Sequence, residues 1–217
     1  MKPSKFRVLL IEDNLSDALL LKELIKDSLV TPFEVSKCAT RLSEAAALIE
    51  SEPFDLILLD LSLPDSFGVD TFFRVKALAP DLPVIVLSGM DSEELALKTV
   101  QEGAQDYLVK GKMDSHMTVR SMRYAIERKK AEHQLAFERE LMHELLDNIP
   151  DRIYFKDKES RFLRINKAMA VFFGLDRPQD AIGKTDFDFF LEEHARPAFD
   201  CELQVMQTGE PIVGLVE

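Results

Sequence analysis

Cysteine is scarce: Cys38 and Cys201 are the only two thiols, far apart, with no CxxC pair or histidine spacing around them. This excludes a disulfide framework and a cysteine-ligated zinc site, and it predicts two reduced thiols in the core. Long apolar runs are also missing. No stretch approaches the ~20 residues that a membrane span needs, and the apolar segment after the charged N-terminus is too short for a secretion signal. A cytoplasmic protein with no membrane partner is expected. Basic residues are in the minority, with 27 Lys and Arg against 39 Asp and Glu, a net charge of −12. No segment is basic overall. That balance argues against a nucleic-acid partner in these residues and favours divalent cations or basic partners. Internal repeats and low-complexity tracts are absent as well.

What the chain does contain is apolar material: 46 % of its 217 residues are hydrophobic, enough for one large core or two small ones. The organising stretch is residues 53–63, PFDLILLDLSL. Leu56, Ile57, Leu58 and Leu59 are too continuous for a half-exposed strand, so they predict a strand covered on both faces, as in a parallel sheet. Similar runs occur at Phe6–Ile11, 33–38, 83–87 and 106–109. Helical spacing fills the intervals: Leu15, Ala18, Leu19, Leu24 and Ile25 in a helix to Leu29; Leu42, Ala45, Ala46 and Ile49 in 41–50; and Val69, Phe72 and Phe73 on one face of a third. Asp91 with Glu94 signals the start of a fourth helix and Gly103 its stop. Five strands alternating with helices predict a doubly wound α/β domain with strand order 2-1-3-4-5.

Residues 115–149 contain neither Gly nor Pro, and Met122, Ile126, Leu135, Met142, Leu145 and Ile149 recur at helical spacing. About 35 helical residues reach roughly 50 Å, so part of this helix must act as a connector. Arg128, His133 and Glu138 fall near the apolar seam. Two alternatives stand open, a dimeric coiled coil, which is favoured, and a helix packed on its own chain. After Pro150 come short aromatic strands around the polar turn Asp157-Lys158-Glu159-Ser160, a short helix capped by Asn166 and broken at Gly174, a helical stretch from Thr185, and an apolar run at 212–216. Such a sheet is unfinished, and residues 150–217 are expected to be the front of a domain that continues in a longer protein.

The strand ends carry the chemistry. The first strand runs into Glu12 and Asp13, the third into Asp60, the fourth into Ser88 and the fifth into Lys110. With the first and third strands adjacent, three carboxylates share one crevice, where each like-charged pair repels by about 1–4 kcal/mol. A divalent cation would offset that repulsion, and oxygen ligands without His or Cys suit Mg²⁺ or Mn²⁺ better than Zn²⁺. A carboxylate beside such a cation, with an ammonium and a hydroxyl at the rim, can accept a phosphoryl group. Phosphatases and mutases with a strand-end nucleophile use a DxD motif, and here the second position is Ser62, so the proton donor is missing. Flavin or dinucleotide binding is excluded because no Gly-rich phosphate loop follows the first strand.

With these motifs, residues 1–113 resemble the receiver domain of two-component response regulators: Glu12-Asp13, LLDLSLPDSFG around Asp60, LSG with Ser88, and DYLVK with Tyr107 and Lys110. The resemblance implies a flavodoxin-like five-stranded parallel sheet and a phosphoacceptor Asp60 served by a histidine kinase or phosphotransfer protein. It implies Mg²⁺ held by Glu12, Asp13, Asp60 and the backbone carbonyl of Ser62, with Lys110 and Ser88 assisting transfer and Ser88 and Tyr107 as the switch pair. Self-phosphotransfer and autodephosphorylation would be its only enzymatic acts. Receivers often place Pro directly after the lysine, where this chain has Gly111. Residues 114–149 would be the connector helix and support a homodimer. Residues 150–217 resemble the N-terminal part of an α+β PAS domain through DRIYFKDKESRFLRIN and AIGKTDFDFF; its ligand is left open, since the flavin-reactive Cys motif is absent. His194, in the charged stretch EEHAR, and His116, His133 and His143 on the connector are expected at the surface. The rival reading is a receiver-like scaffold that works without phosphate.

Overall fold

The computed structural model describes residues 5–26, 33–89 and 93–213. The chain divides into two compact units, residues 1–134 and 135–217. In the first, five strands, β1 (Phe6–Ile11), β2 (Phe33–Ala39), β3 (Leu56–Asp60), β4 (Val84–Ser88) and β5 (Asp106–Val109), form one sheet in the order β2-β1-β3-β4-β5. All four pairings are parallel, with Leu10 beside Leu58, Leu58 beside Ile85, and Leu87 beside Leu108. Because successive side chains point to opposite faces, the apolar runs supply two cores at once. One face buries Leu9, Ile11, Ile57, Leu59 and Val86 against α2 (Leu42–Ser51) and α3 (Val69–Leu78). The other buries Val8, Leu10, Leu58, Ile85 and Leu87 against α1 (Leu15–Lys26) and the start of α5 (Ser115–Asn148). All five residues of β3 are buried, as a central strand covered on both faces requires.

The expected inner faces of two helices, α1 and α3, need correction. In α1 the buried residues are Ala18, Leu21 and Ile25, whereas Leu15 and Leu19 are exposed; Leu29 lies outside the described residues. In α3 Thr71, Phe72 and Val75 are buried and Phe73 is exposed. In α5 Met122, Ala125 and Ile126 reach the sheet, while Leu135, Met142 and Leu145 are exposed. The fourth helix, α4 (Glu93–Gln101), ends near Gly103, whose φ of 103° few other residues adopt; its expected cap, Asp91, is not among the described residues. Lys110–Lys112 forms a single 3₁₀ turn, so the bend ahead of α5 is made without proline. Cys38 and Cys201 are free and half-buried instead of lying fully in a core.

In the second unit β6 (Tyr154–Lys156) pairs antiparallel with β7 (Phe162–Ile165). The turn between them is held by Asp157, whose Oδ1 accepts from the backbone N–H groups of Glu159 (3.0 Å) and Arg161 (2.8 Å), and it carries Ser160 at φ 60° with its hydroxyl buried. A small core gathers Phe162, Ile165, Met169, Ala170 and Ala181, and Phe173 stacks on Phe189 at 4.0 Å. Asn166 caps α6 (Lys167–Phe172) by accepting from Met169 N–H, and its amide donates to the carbonyls of Leu146 and Asp151. The stretch from Thr185 is a 3₁₀ turn with a capping box, and the longer helix, α7 (Glu192–Thr208), starts later. Ile212 and Val213 are irregular, and the rest of that apolar run falls outside the described residues.

The loop after Asp60 is fastened from an unexpected side. Asp65 accepts from the backbone N–H groups of Leu42 (2.8 Å) and Ser43 (3.0 Å), capping α2 from 22 residues away. Those two N–H bonds hold its carboxyl below the ordinary carboxylate range. Asp65→Ala should cost about 1 kcal/mol, the usual size of a lost N-terminal cap. A depressed folded-state pKa contributes stability above the unfolded value and loses it as pH falls through the folded value, so the deficit should be constant near neutrality and shrink below about pH 4. Urea unfolding of both proteins between pH 3 and pH 7 checks this.

Candidate functional site

Parallel pairing brings the reactive ends together. Ile11 lies beside Leu59, Asp60 beside Leu87, and Ser88 beside Val109, so the residues that follow emerge at one edge of the sheet. Glu12 prolongs the ladder through its N–H to the Ala39 carbonyl (2.9 Å), and its side chain is buried. Asp60 is 5 % exposed, and its Oδ1 accepts from Ser62 N–H at 3.1 Å. Glu12 Oε1 accepts from Asn14 N–H at 3.1 Å. Asp13 is exposed at the rim, and oxygens of Glu12, Asp13 and Asp60 all lie within 4.8 Å of one another.

Lys110 enters from the end of β5. Its Nζ stands 2.7 Å from Asp60 Oδ2, 2.6 Å from Glu12 Oε2 and 3.0 Å from Asp17 Oδ2. Burial alone would push this ammonium down; hydrogen bonds to Asp60, Glu12 and Asp17 carry it above its ordinary value instead. Burial raises the Glu12 carboxyl, Lys110 opposes that rise, and the charge of Asp60 adds to it. At Glu12 the partner of the buried Oε2 is the Lys110 ammonium, 2.6 Å away. Three hard carboxylate oxygens around one crevice, two of them on buried side chains, fit a small divalent cation of the Mg²⁺ or Mn²⁺ type.

Ser88 is buried at the end of β4 and engaged with a neighbour. Tyr107 is half-buried, beside Val86 in the sheet and packed with Leu95 of α4 against the core on that face. Ser62 is exposed and pairs with Phe67 in a two-residue ladder that turns the loop at the rim. The structure therefore brings Glu12, Asp13, Asp60 and Lys110 together and sets Ser88 on the neighbouring strand end. Asp17 and Asp65 were missed. Asp17 had a readable signal, an acid four residues after Asp13 in the first turn of α1, whereas the Asp65 cap depends on a contact between loops.

Comparison with known proteins bears on this arrangement. The family model of the response regulator receiver domain matches residues 8–121, more than half of the chain. The chain belongs to the response regulator receiver family. A PAS fold model matches residues 146–217. The receiver is 35 % identical over 103 residues to the regulatory protein LuxO of Vibrio cholerae, covering 46 % of this chain and 21 % of that protein. It is 34 % identical over 110 residues to the two-component response regulator ARR2 of Arabidopsis thaliana, covering 50 % and 16 %. The chain thus spans about a fifth or less of these relatives. Among solved structures, the receiver domain of a LuxO repressor protein from Vibrio parahaemolyticus superposes with a TM-score of 0.51 at 31 % identity, covering 61 % of this chain and 98 % of that one. A CheY-like receiver from Methanospirillum hungatei gives 0.51 at 25 % identity, covering 59 % and 99 %. No helix among the described residues is long and apolar enough to cross a membrane.

The electrostatics of the crevice make Lys110 a structural cation of the receiver. Lys110→Ala should destabilise the receiver by about 3 kcal/mol, the range for removing one partner of a buried ion pair. The deficit should be larger at pH 8 than at pH 5, because the abandoned carboxylates relieve their repulsion by protonation. Denaturant melts of the variant and the parent protein at both pH values check the size and the sign.

Proposed function

We propose that this receiver is a phosphoacceptor switch in which Asp60 takes a phosphoryl group from a histidine kinase or phosphotransfer protein. The observation that carries the reading is the Lys110 ammonium held between Asp60 and Glu12 at the crevice where three carboxylate oxygens converge. Glu12, Asp13 and Asp60, with the backbone carbonyl of Ser62, would hold Mg²⁺, and Mn²⁺ shares the same ligand preference. When bound, the cation neutralises the oxygens of the transferring group. An Asp60 carboxylate oxygen forms its bond to phosphorus as the bond from phosphorus to the donor atom breaks, and the electron pair leaves with the donor. Lys110 turns an N–H toward one phosphoryl oxygen and Ser88 donates to another. Hydrolysis of the resulting mixed anhydride by water returns the carboxylate and inorganic phosphate.

The switch then follows from packing. A hydroxyl drawn from β4 toward the phosphoryl group leaves room that Tyr107, on the same face as α4, can fill, and β5 with its following turn passes the shift into α5. The C-terminal half of α5 exposes Leu135, Leu141, Met142 and Leu145, and the spacing of Leu135, Met142 and Ile149 by seven suits pairing with the same face of a second copy. The PAS region is the first recipient of the signal.

Intact mass after incubation with acetyl phosphate and Mg²⁺ should show one added phosphate, absent in Asp60→Asn and in EDTA. No adduct on the folded protein would turn the reading to a phosphate-independent interaction module. Light scattering at tens of micromolar should give a dimer for the chain and a monomer after Leu141→Glu with Leu145→Glu; a monomeric parent protein would remove the coiled-coil pairing.

A further inference from the structure

The geometry points to Asp17 as a positioning residue for phosphoryl transfer: it anchors the Lys110 ammonium independently of the acceptor. The inference rests on the phosphoacceptor reading and deepens it. An ammonium has three N–H donors, and Lys110 Nζ lies within ion-pair distance of three carboxylates, Glu12 after β1, Asp60 at the end of β3, and Asp17 in α1. Two of these change during the reaction. Asp60 becomes a mixed anhydride, whose remaining carbonyl oxygen is uncharged and a weaker acceptor. Glu12 shares its oxygens with the cation cluster of Glu12, Asp13 and Asp60, to which Asp17 does not belong. Asp17 keeps its charge and its place throughout.

The first turn of α1 sets that place. Asn14 caps the first turn of α1, its Oδ1 accepting from the N–H of Ser16 (2.9 Å) and from that of Asp17 (3.4 Å). The Asp17 side chain is 33 % exposed, so it is partly shielded, and it reaches Lys110 across 93 residues of sequence. An acid in a first helical turn is commonplace because it faces the positive end of the helix dipole. Here the carboxylate also makes a 3.0 Å charge-assisted bond to the one ammonium that the transfer uses. With Asp17 in place, Lys110 stays over the crevice as the bond to Asp60 weakens, and the released N–H meets a phosphoryl oxygen. Without it, the ammonium is held only by groups whose own chemistry is changing.

Asp17→Asn keeps the shape and removes the charge. The rate constant for phosphorylation by acetyl phosphate at saturating Mg²⁺ should fall about fivefold, the worth of turning a charge-assisted bond into a neutral one, with the half-saturating donor concentration unchanged. In a Lys110→Ala background the same substitution should change nothing further, since Asp17 acts through the ammonium. An unaltered rate, or the same slowing without Lys110, overturns the assignment. The ¹⁵N resonance of the Lys110 ammonium, recorded without phosphodonor, should exchange with solvent faster in Asp17→Asn. If the parent protein takes up no phosphate, the phosphoacceptor reading fails and this resonance alone decides: an unchanged signal shows that Asp17 does not hold Lys110.

Discussion

Crowded negative charge at one edge of a parallel sheet, offset by a single ammonium, is the constraint on which this receiver depends. Glu12 and Asp60 are buried where desolvation penalises each charge and where each raises the cost of the other. Lys110 answers both, and its three short contacts show how much of the local balance rests on it. A site so arranged is unfinished as an electrostatic object. A second cation placed there changes its energy by far more than it would on an ordinary surface.

The rest of the fold serves to hold those charges in place. β3 can end in a buried carboxylate because its preceding four residues are anchored on both faces, leaving Asp60 little freedom to retreat into water. The loop that follows is shaped by the Ser62 ladder and tied to α2 through Asp65, so the rim of the crevice is coupled to a helix on one face of the sheet. On that same face Tyr107 and Leu95 sit at the half-buried margin of the core.

The PAS region shows a different economy of means. Its core is small, and much of its order comes from polar side chains that bond backbone: Asp157 in the hairpin turn, Asn166 between the end of α5, the start of the hairpin and α6, and the Thr185 capping box. Lys156, contacting both Asp186 and Glu202, adds a buried charge pairing across elements distant in sequence. Asn166 makes its links with one amide, joining the last turn of α5, the start of the hairpin and α6.

The sequence by itself determined the elements and the identity of the reactive groups. Continuous apolar runs admit only doubly covered strands, their alternation with helical spacing admits few topologies, and the acids, hydroxyl and lysine at the strand ends are legible because parallel strands all deliver their carboxyl ends to one edge. Tertiary structure decided which helix faces are inner and which side chains complete the site. Leu15, Leu19 and Phe73 are apolar yet exposed, because helix phase is set by capping turns and by the tilt of each helix on a twisted sheet, neither of which hydrophobicity encodes. Asp17 and Asp65 act through space, on partners 93 and 22 or more residues away, and a short acid in a turn reads the same whether it faces water, a helix end or a half-buried ammonium. Only the folded chain distinguishes these, since the distance between two charges sets their energy and sequence separation does not.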